Sequence, residues 1–229
     1  MEKKIVVLTG AGVSAESGIQ TFRDSNGLWE NHRVEDVATP EGWHRDYKMV
    51  LRFYNDRLKQ MKAAQPNAAH LALAKLEAKY DVTVVTQNVD NLHERAGSSK
   101  VIHLHGEITK ARSQVDENYI VDIEGDELKD GALCPYGKQL RPHIVWFGEA
   151  VPMIEKAVEV ISQADIAMVI GTSMVVYPAA SLIHYAPKNI PVYYIDPKAS
   201  HIAGIANLTC LQDKAGVAVP KLVEELLSK

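Results

Sequence analysis

Two histidines two apart, His103 and His105, close a short apolar run at residues 101–104, and Gly106 follows at once. Alternate residues of a strand share a face, so the pair puts two imidazoles on one side of a strand end. Such a pair supplies metal ligands, or one structural histidine and one general base, since imidazole titrates near neutral pH. A second polar set, Thr86-Gln87-Asn88-Val89-Asp90-Asn91, ends the apolar run 82–86. Its three amides and carboxylate suit an amide-bearing ring and ribose hydroxyls. Capping of a helix that starts near Asp90 accounts for one or two of them but not all.

The third set lies near the start of the chain. The apolar run 5–9 breaks into Gly10-Ala11-Gly12-Val13-Ser14-Ala15. A buried strand that turns through Gly-x-Gly-x-x-Ala into a helix N-terminus holds a pyrophosphate on free N–H groups. Its first glycine allows the bend, its second close approach of backbone to phosphate, and its third small residue helix packing. Gly171-Thr172-Ser173, after the run 166–170, suits phosphate or ribose contacts or a plain tight turn. Asp196, after the run 192–195, reaches a ribose or caps the segment after it. A hydride-transfer fold would place an acid at the end of its second strand, about 20 residues past the glycines. Here residues 18–29 lack strand period and are rich in turn formers. A dinucleotide enzyme of another kind fits better.

The elements that must hold these groups alternate. Strand-like runs fall at 5–9, 82–86, 101–104, 144–147, 166–170 and 192–195, and helical patterns at 68–79, 152–163, 179–185 and 217–227. The alternation predicts an α/β fold, a Rossmann-like doubly wound parallel sheet. Residues 28–66 and 107–142 break it and are expected to form a small second domain from two insertions. The large part is then 1–27, 67–106 and 143–229.

With 229 residues, 46% hydrophobic, 24% charged and a net charge of −4, the composition is that of a globular chain with no electrostatic attraction to nucleic acid or an anionic membrane. No apolar stretch approaches the roughly 20 residues of a membrane span. The first strand is expected to begin within four residues of Met1, so no cleavable leader is expected, and two cysteines suggest no disulfide framework. The expectation is a cytoplasmic monomer.

Further motifs complete the series. Gly10-Ala11-Gly12-Val13-Ser14-Ala15-Glu16-Ser17-Gly18-Ile19, Thr21-Phe22-Arg23, Gly27-Leu28-Trp29, Thr86 to His93, Leu104-His105-Gly106, Leu140-Arg141-Pro142, Val145-Trp146-Phe147-Gly148-Glu149 and Gly171-Thr172-Ser173 occur in this order along nearly the whole chain. In this order they resemble the sirtuins, the NAD-dependent protein-lysine deacylases. The resemblance implies that Gly10, Ala11, Gly12, Ser14, Ala15 and Glu16 hold NAD through its pyrophosphate region, with Phe22 and Arg23 closing over it. It places Gln87, Asn88 and Asp90 at the nicotinamide and its ribose, Asn88 and Asp90 nearest the reacting end, with His105 as general base. Gly171, Thr172, Ser173, Asp196 and Ala215 would contact the adenosine side. Val145, Trp146, Phe147 and Gly148 would flank the acyl-lysine tunnel and pair with substrate backbone. The acyl oxygen attacks the ribose carbon as nicotinamide leaves, and the products are free lysine and O-acyl-ADP-ribose. The same site would also support mono-ADP-ribosyl transfer to protein.

Two departures from the family pattern stand out. Sirtuins usually carry two Cys-x-x-Cys pairs that bind zinc. Here Ser113 and Asp116 stand at the first pair, and Cys134 survives from the second with Tyr136 or Gly137 opposite it. One thiolate with a serine and scattered acids falls short of four tetrahedral ligands, so zinc is expected to be absent. Val115, Tyr119, Ile120, Ile123 and Leu128 are then candidates to hold the small domain together. Secondly, Tyr54 and Arg57 lie three apart on a helical stretch and share a face. Tyr-x-x-Arg here resembles the subgroup that removes succinyl and malonyl groups. A guanidinium takes a carboxylate bidentately and a phenol adds a third hydrogen bond.

Overall fold

The computed structural model describes residues 2–20, 28–29, 32–173 and 176–229. Thr21, Phe22, Arg23 and Gly27 lie outside the described residues.

Eleven strands are described: β1 (Lys4–Thr9), β2 (Leu28–Trp29), β3 (His32–Arg33), β4 (Asp81–Thr86), β5 (Val101–His103), β6 (Gly106–Arg112), β7 (Ile120–Asp122), β8 (Arg141–Ile144), β9 (Ile166–Ile170), β10 (Val192–Ile195) and β11 (Leu208–Leu211). The helices are α1 (Val34–Val37), α2 (Pro40–Ala63), α3 (Ala68–Lys75), α4 (Leu92–Ala96), α5 (Ile154–Ile161) and α6 (Ala215–Ser228). Six strands form a parallel sheet in the order β11-β10-β9-β1-β4-β5. Alternate β1 residues point to opposite faces. Ile5 and Val7 pack with α3 and α6, whereas Val6 and Leu8 pack with α5 and the 3-10 helix Ala179–Tyr185. Burial on both faces explains why these strands read as unbroken apolar runs. The chain leaves β1 towards β4 and β5, then returns to the other side through β9, so strand order reverses beside β1. In open α/β sheets that switch point is where ligands bind, outside the carboxyl ends. Thr9 lies in register with Thr86 and Ile170 there, which brings the three polar segments together.

A second core joins α2 to the three-stranded antiparallel sheet β7-β6-β8. Pro40 begins α2 and the Thr39 side chain accepts from Gly42 N at 3.0 Å. Non-helical backbone at Asp46 kinks the helix, and the Asp46 carboxylate restarts it by accepting from Met49 N at 2.9 Å. Val50, Phe53, Tyr54, Leu58 and Met61 then face inward.

Several expectations need correction. The strand expected at 144–147 is β8, which ends at Ile144 and belongs to the antiparallel sheet. Its first residues, Arg-Pro-His, carry no strand-like apolar signal. β6 and β11 went unforeseen because polar residues interrupt the first and the second is a half-exposed edge. The glycine turn leads not into an α-helix but into two 3-10 turns, Ala11–Val13 and Ala15–Ser17. The 3-10 helix Ala179–Tyr185 likewise replaces an expected α-helix. Val115 and Ile120 are exposed, the first in a turn and the second on the outer face of edge strand β7. Leu128 is buried in the second core, with Tyr119 and Ile123 packed against it.

Candidate active site

A cavity of about 730 Å³ opens at the carboxyl edge of the parallel sheet. Every described residue that the family resemblance assigns to cofactor or substrate lines it. Its size and mixture of apolar wall with a few converging polar groups suit a large ligand.

Two turns interlock to form its floor. Gly12 N donates to Gly171 O at 2.8 Å and Gly10 N to Ile170 O at 3.0 Å. A Cβ on Gly12 would stand 2.7 Å from Gly171 Cα, and one on Gly10 would stand 2.7 Å from Thr172 Cβ. Gly171 itself has φ +62°, where side chains are strained. The glycines are therefore required by contact between the two loops, a reason the motif alone does not reveal. Ser14, Thr172, Ser173 and Asp196 offer hydroxyls and a carboxylate around this floor, a donor set that fits a dinucleotide. Asp196 also accepts from Lys198 N at 2.9 Å and so caps the segment after β10. Glu16 reaches across the chain, its carboxylate accepting from Gly216 N at 2.7 Å in the first turn of α6. Ala215 sits at the same helix start.

The turn after β4 is pinned from several sides. Asn88 N donates to Thr86 Oγ1 at 3.0 Å, and Asn88 Nδ2 reaches Gly10 O and Ser14 Oγ at 3.2 Å each. Ser14 Oγ donates to Asp90 Oδ2 at 3.1 Å. Beneath it lies His70, which sequence reasoning missed. His70 Nδ1 accepts from Asn67 N at 3.2 Å, so Nε2 carries the proton that faces Ser14 Oγ at 3.4 Å. The spacing Asn67-x-x-His70 was the available signal, since the two residues form a capping box for α3. Burial lowers His70 to about 4, and burial lowers the adjoining His93 to about 3. Burial raises the Asp90 carboxyl, opposed by the bonds from Leu92 N and Ser14 and by the charge of His103.

His105 Nδ1 lies 3.0 Å from Gln87 O. A carbonyl only accepts, so Nδ1 holds the proton and Nε2 presents a lone pair. Burial lowers the His105 pKa against the opposing pull of Gln87 O, which leaves a neutral base at physiological pH. His103 behaves differently: its Nδ1 is 2.9 Å from Asn88 O and its Nε2 is 2.7 Å from Glu94 Oε1. The two histidines thus hold successive carbonyls and do not form a pair of metal ligands.

On the opposite wall Tyr54 and Arg57 are 2% and 4% exposed. The Arg57 guanidinium stands 5.6 Å over the Phe53 ring. Tyr54 Oη accepts from Trp146 Nε1 at 2.9 Å, and burial raises the Tyr54 pKa. Trp146 in turn stacks under Arg141, whose guanidinium lies 3.3 Å from the ring centroid. Glu149 accepts from Arg141 at 2.6 and 3.0 Å, from Arg112 at 3.1 Å and from Trp146 N at 2.8 Å. Residues 145–148 are hence an anchored turn rather than a strand. Val145 N donates to His105 O and Phe147 N to Ala38 O, at 2.9 and 3.0 Å. These two amides are therefore bonded within the chain. Phe147 remains half exposed at the mouth.

The zinc positions hold a different chemistry. Ser113 Oγ accepts from Val115 N at 3.1 Å and Asp116 N at 3.3 Å. Cys134 O accepts from Gly137 N at 2.9 Å, and Tyr136 Oη donates to Asp116 Oδ2 at 3.3 Å. A hydrogen bond with Ser113 draws the Cys134 thiol pKa down. Hydrogen bonds close both turns, and a serine, an aspartate and one cysteine offer fewer thiolates than a four-ligand zinc site takes. Among the described residues, Glu94, His103 and Glu107 also stand close together, but both His103 ring nitrogens are engaged in hydrogen bonds, which leaves no lone pair for a metal.

The Sir2 family profile matches residues 10–178. A Helicobacter pylori protein named NAD-dependent protein deacylase is 50% identical over 225 residues, covering 98% of each chain. A Bacteroides thetaiotaomicron protein of the same name is 52% identical over 230 residues, again with 98% of both covered. The crystal structure of a Sir2 homolog–NAD complex superposes with a TM-score of 0.87 at 39% identity, over 99% of this chain and 90% of that one. The chain belongs to the Sir2 family. Among the described residues no helix is long and apolar enough to cross a membrane.

Proposed function

We propose that this protein removes acyl groups from protein lysines at the expense of NAD, and that its pocket favours succinyl and malonyl over acetyl groups. The deacylase reading rests on family membership and on relatives of that name across the full length. The acyl preference rests on one observation: Tyr54 and Arg57 are buried at the wall of the cavity that also holds His105 and the glycine floor.

Within this reading NAD, when bound, supplies a ribose carbon that becomes electrophilic as nicotinamide leaves. Gly10 to Ser14 would cradle the pyrophosphate, with Ala15 and Glu16 beside it. Thr172, Ser173, Asp196 and Ala215 take the adenosine end. Gln87, Asn88 and Asp90 hold the nicotinamide end, and His105 Nε2 accepts a ribose hydroxyl proton. Val145, Trp146, Phe147 and Gly148 guide the acyl-lysine. Arg57 receives the distal acyl carboxylate, assisted by the Tyr54 hydroxyl, whose oxygen already accepts from Trp146 and so favours donating its own proton. The hydrogen-bonded turns at Ser113 and Cys134 stand in for a zinc knot. A cytoplasmic monomer acting on acyl-lysine proteins, with no part for nucleic acid or membrane, completes the reading.

Steady-state kinetics on matched acetyl and succinyl peptides test the pocket. Arg57→Met should lower kcat/KM for the succinyl peptide roughly ten- to a hundredfold while deacetylation survives, since a charge-assisted hydrogen bond is worth about 1.5–3 kcal/mol. Tyr54→Phe should cost less on the succinyl peptide, near 1 kcal/mol. It also strips the buried Trp146 N–H of its acceptor, so its Tm should fall. Equal losses on both peptides would remove the acyl-carboxylate reading.

A further inference from the structure

We propose that His103, held by Glu94, is a positioning residue that fixes the Asn88 peptide in the turn facing the nicotinamide end of the site. The inference rests on the NAD reading of the cavity. His103 ends β5 with its side chain 8% exposed, and both ring nitrogens are engaged. Nδ1 lies 2.9 Å from Asn88 O and must donate there; Nε2 lies 2.7 Å from a Glu94 carboxylate oxygen and must donate there too. One imidazole therefore spans the turn after β4 and helix α4, and it does so with both protons in place. Burial opposes charge on the ring, yet the Glu94 hydrogen bond and charge prevail and raise its pKa.

The surroundings agree with a fixed cation. Glu94 on α4 and Glu107 on β6 face it, the latter 3.9 Å from Nε2 and itself paired with Lys110. Asp90 feels its charge, which counters the upward shift that burial imposes on that carboxyl. His93 on α4 is the remaining titratable neighbour and is neutral. The Asn88 backbone is thereby held on both sides of its Cα, its N–H on Thr86 Oγ1 and its C=O on His103. That leaves the Asn88 side chain aimed at Gly10 O and Ser14 Oγ. Losing the clamp frees the carbonyl and lets the side chain leave the glycine floor.

Three variants separate this role from bulk packing. Asn places a donor where Nδ1 stood, Gln places one near Nε2, and Leu removes both. NAD is titrated into each purified protein by calorimetry, and KM is measured separately for NAD and for an acyl-peptide. His103→Leu should weaken NAD binding and raise the NAD KM roughly tenfold with the peptide KM unchanged. His103→Asn should recover most of that loss, and His103→Gln should not. Equal impairment of the Asn and Leu variants, an unchanged NAD KM in His103→Leu, or a parallel rise in both KM values would overturn the proposal. Should His103→Leu fail to fold, the contrast between Asn and Gln still decides. Failure of the wild type to bind NAD would overturn the underlying reading and this inference with it.

Discussion

A single backbone carbonyl decides which nitrogen of His105 is free. Gln87 O accepts a hydrogen bond from Nδ1–H, so Nε2 is left as the acceptor in the cavity lining. Loss of a general base typically costs about 100- to 10,000-fold in rate. His105→Ala should lose deacylation on that scale, with Tm and NAD affinity near wild type, because the ring lines the cavity rather than filling the core. The losses at His103 should be smaller and confined to NAD. If deacylation by His105→Ala stays within a few-fold of wild type, the base lies elsewhere. The histidine pair was legible at this scale because a strand end beside glycine is a place for chemistry. Its division of labour was not, since nothing in His-x-His says that the two rings bond different carbonyls. Nor does Tyr-x-x-Arg reveal that a tryptophan 92 residues away donates to the tyrosine.

At the scale of elements, misreadings cluster where a segment is stabilised by its neighbours rather than by its own pattern. β8 opens on a charged residue yet is buried, because Arg141 satisfies its charge on Glu149 and stacks on Trp146. The 145–148 turn reads as a strand because Val-Trp-Phe is apolar, but Glu149 folds it back onto Trp146 N. The turns at Ser113 and Cys134 keep their form through side-chain and backbone bonds. Chelator should accordingly change neither Tm nor activity, and elemental analysis should find no stoichiometric zinc. About one zinc per chain would contradict this. The elements α3 and α4 together carry a pH consequence. His70 and His93 are neutral in the folded protein, with pKa near 4 and 3 against an ordinary 6.5. The unfolded chain then binds more protons below pH 6.5, so stability is fully present above that value and falls as pH drops towards 4. At pH 5 each histidine removes about 2 kcal/mol, while protonation of Asp90, raised by burial, works in the opposite direction. Urea unfolding at pH 7 and pH 5 should show a clearly lower midpoint at pH 5. An unchanged midpoint would show that the two rings are not held neutral.

For the whole molecule, the parallel sheet was legible because its central strands are buried on both faces and read as apolar runs, each ending in a polar or glycine segment. Those ends converge at the switch point beside β1, and that geometry turns five separate weak motifs into one cavity. The second core was legible only as a break in alternation. Its strands are short, edge-exposed or polar, and they gain their burial from α2. It is α2 that brings Tyr54 and Arg57 to the cavity that the sheet provides, so in the proposed reading NAD chemistry and acyl choice would meet between the two cores. The most direct test of that arrangement is a mass-spectrometric deacylation panel. One peptide would carry acetyl-, succinyl- or malonyl-lysine, and the wild-type enzyme would act on it with and without NAD. The expected result is loss of the acyl group only with NAD, matched by nicotinamide and O-acyl-ADP-ribose, and faster for succinyl and malonyl than for acetyl. Deacylation without NAD would contradict the enzyme reading, and a clear preference for acetyl would contradict the roles of Tyr54 and Arg57.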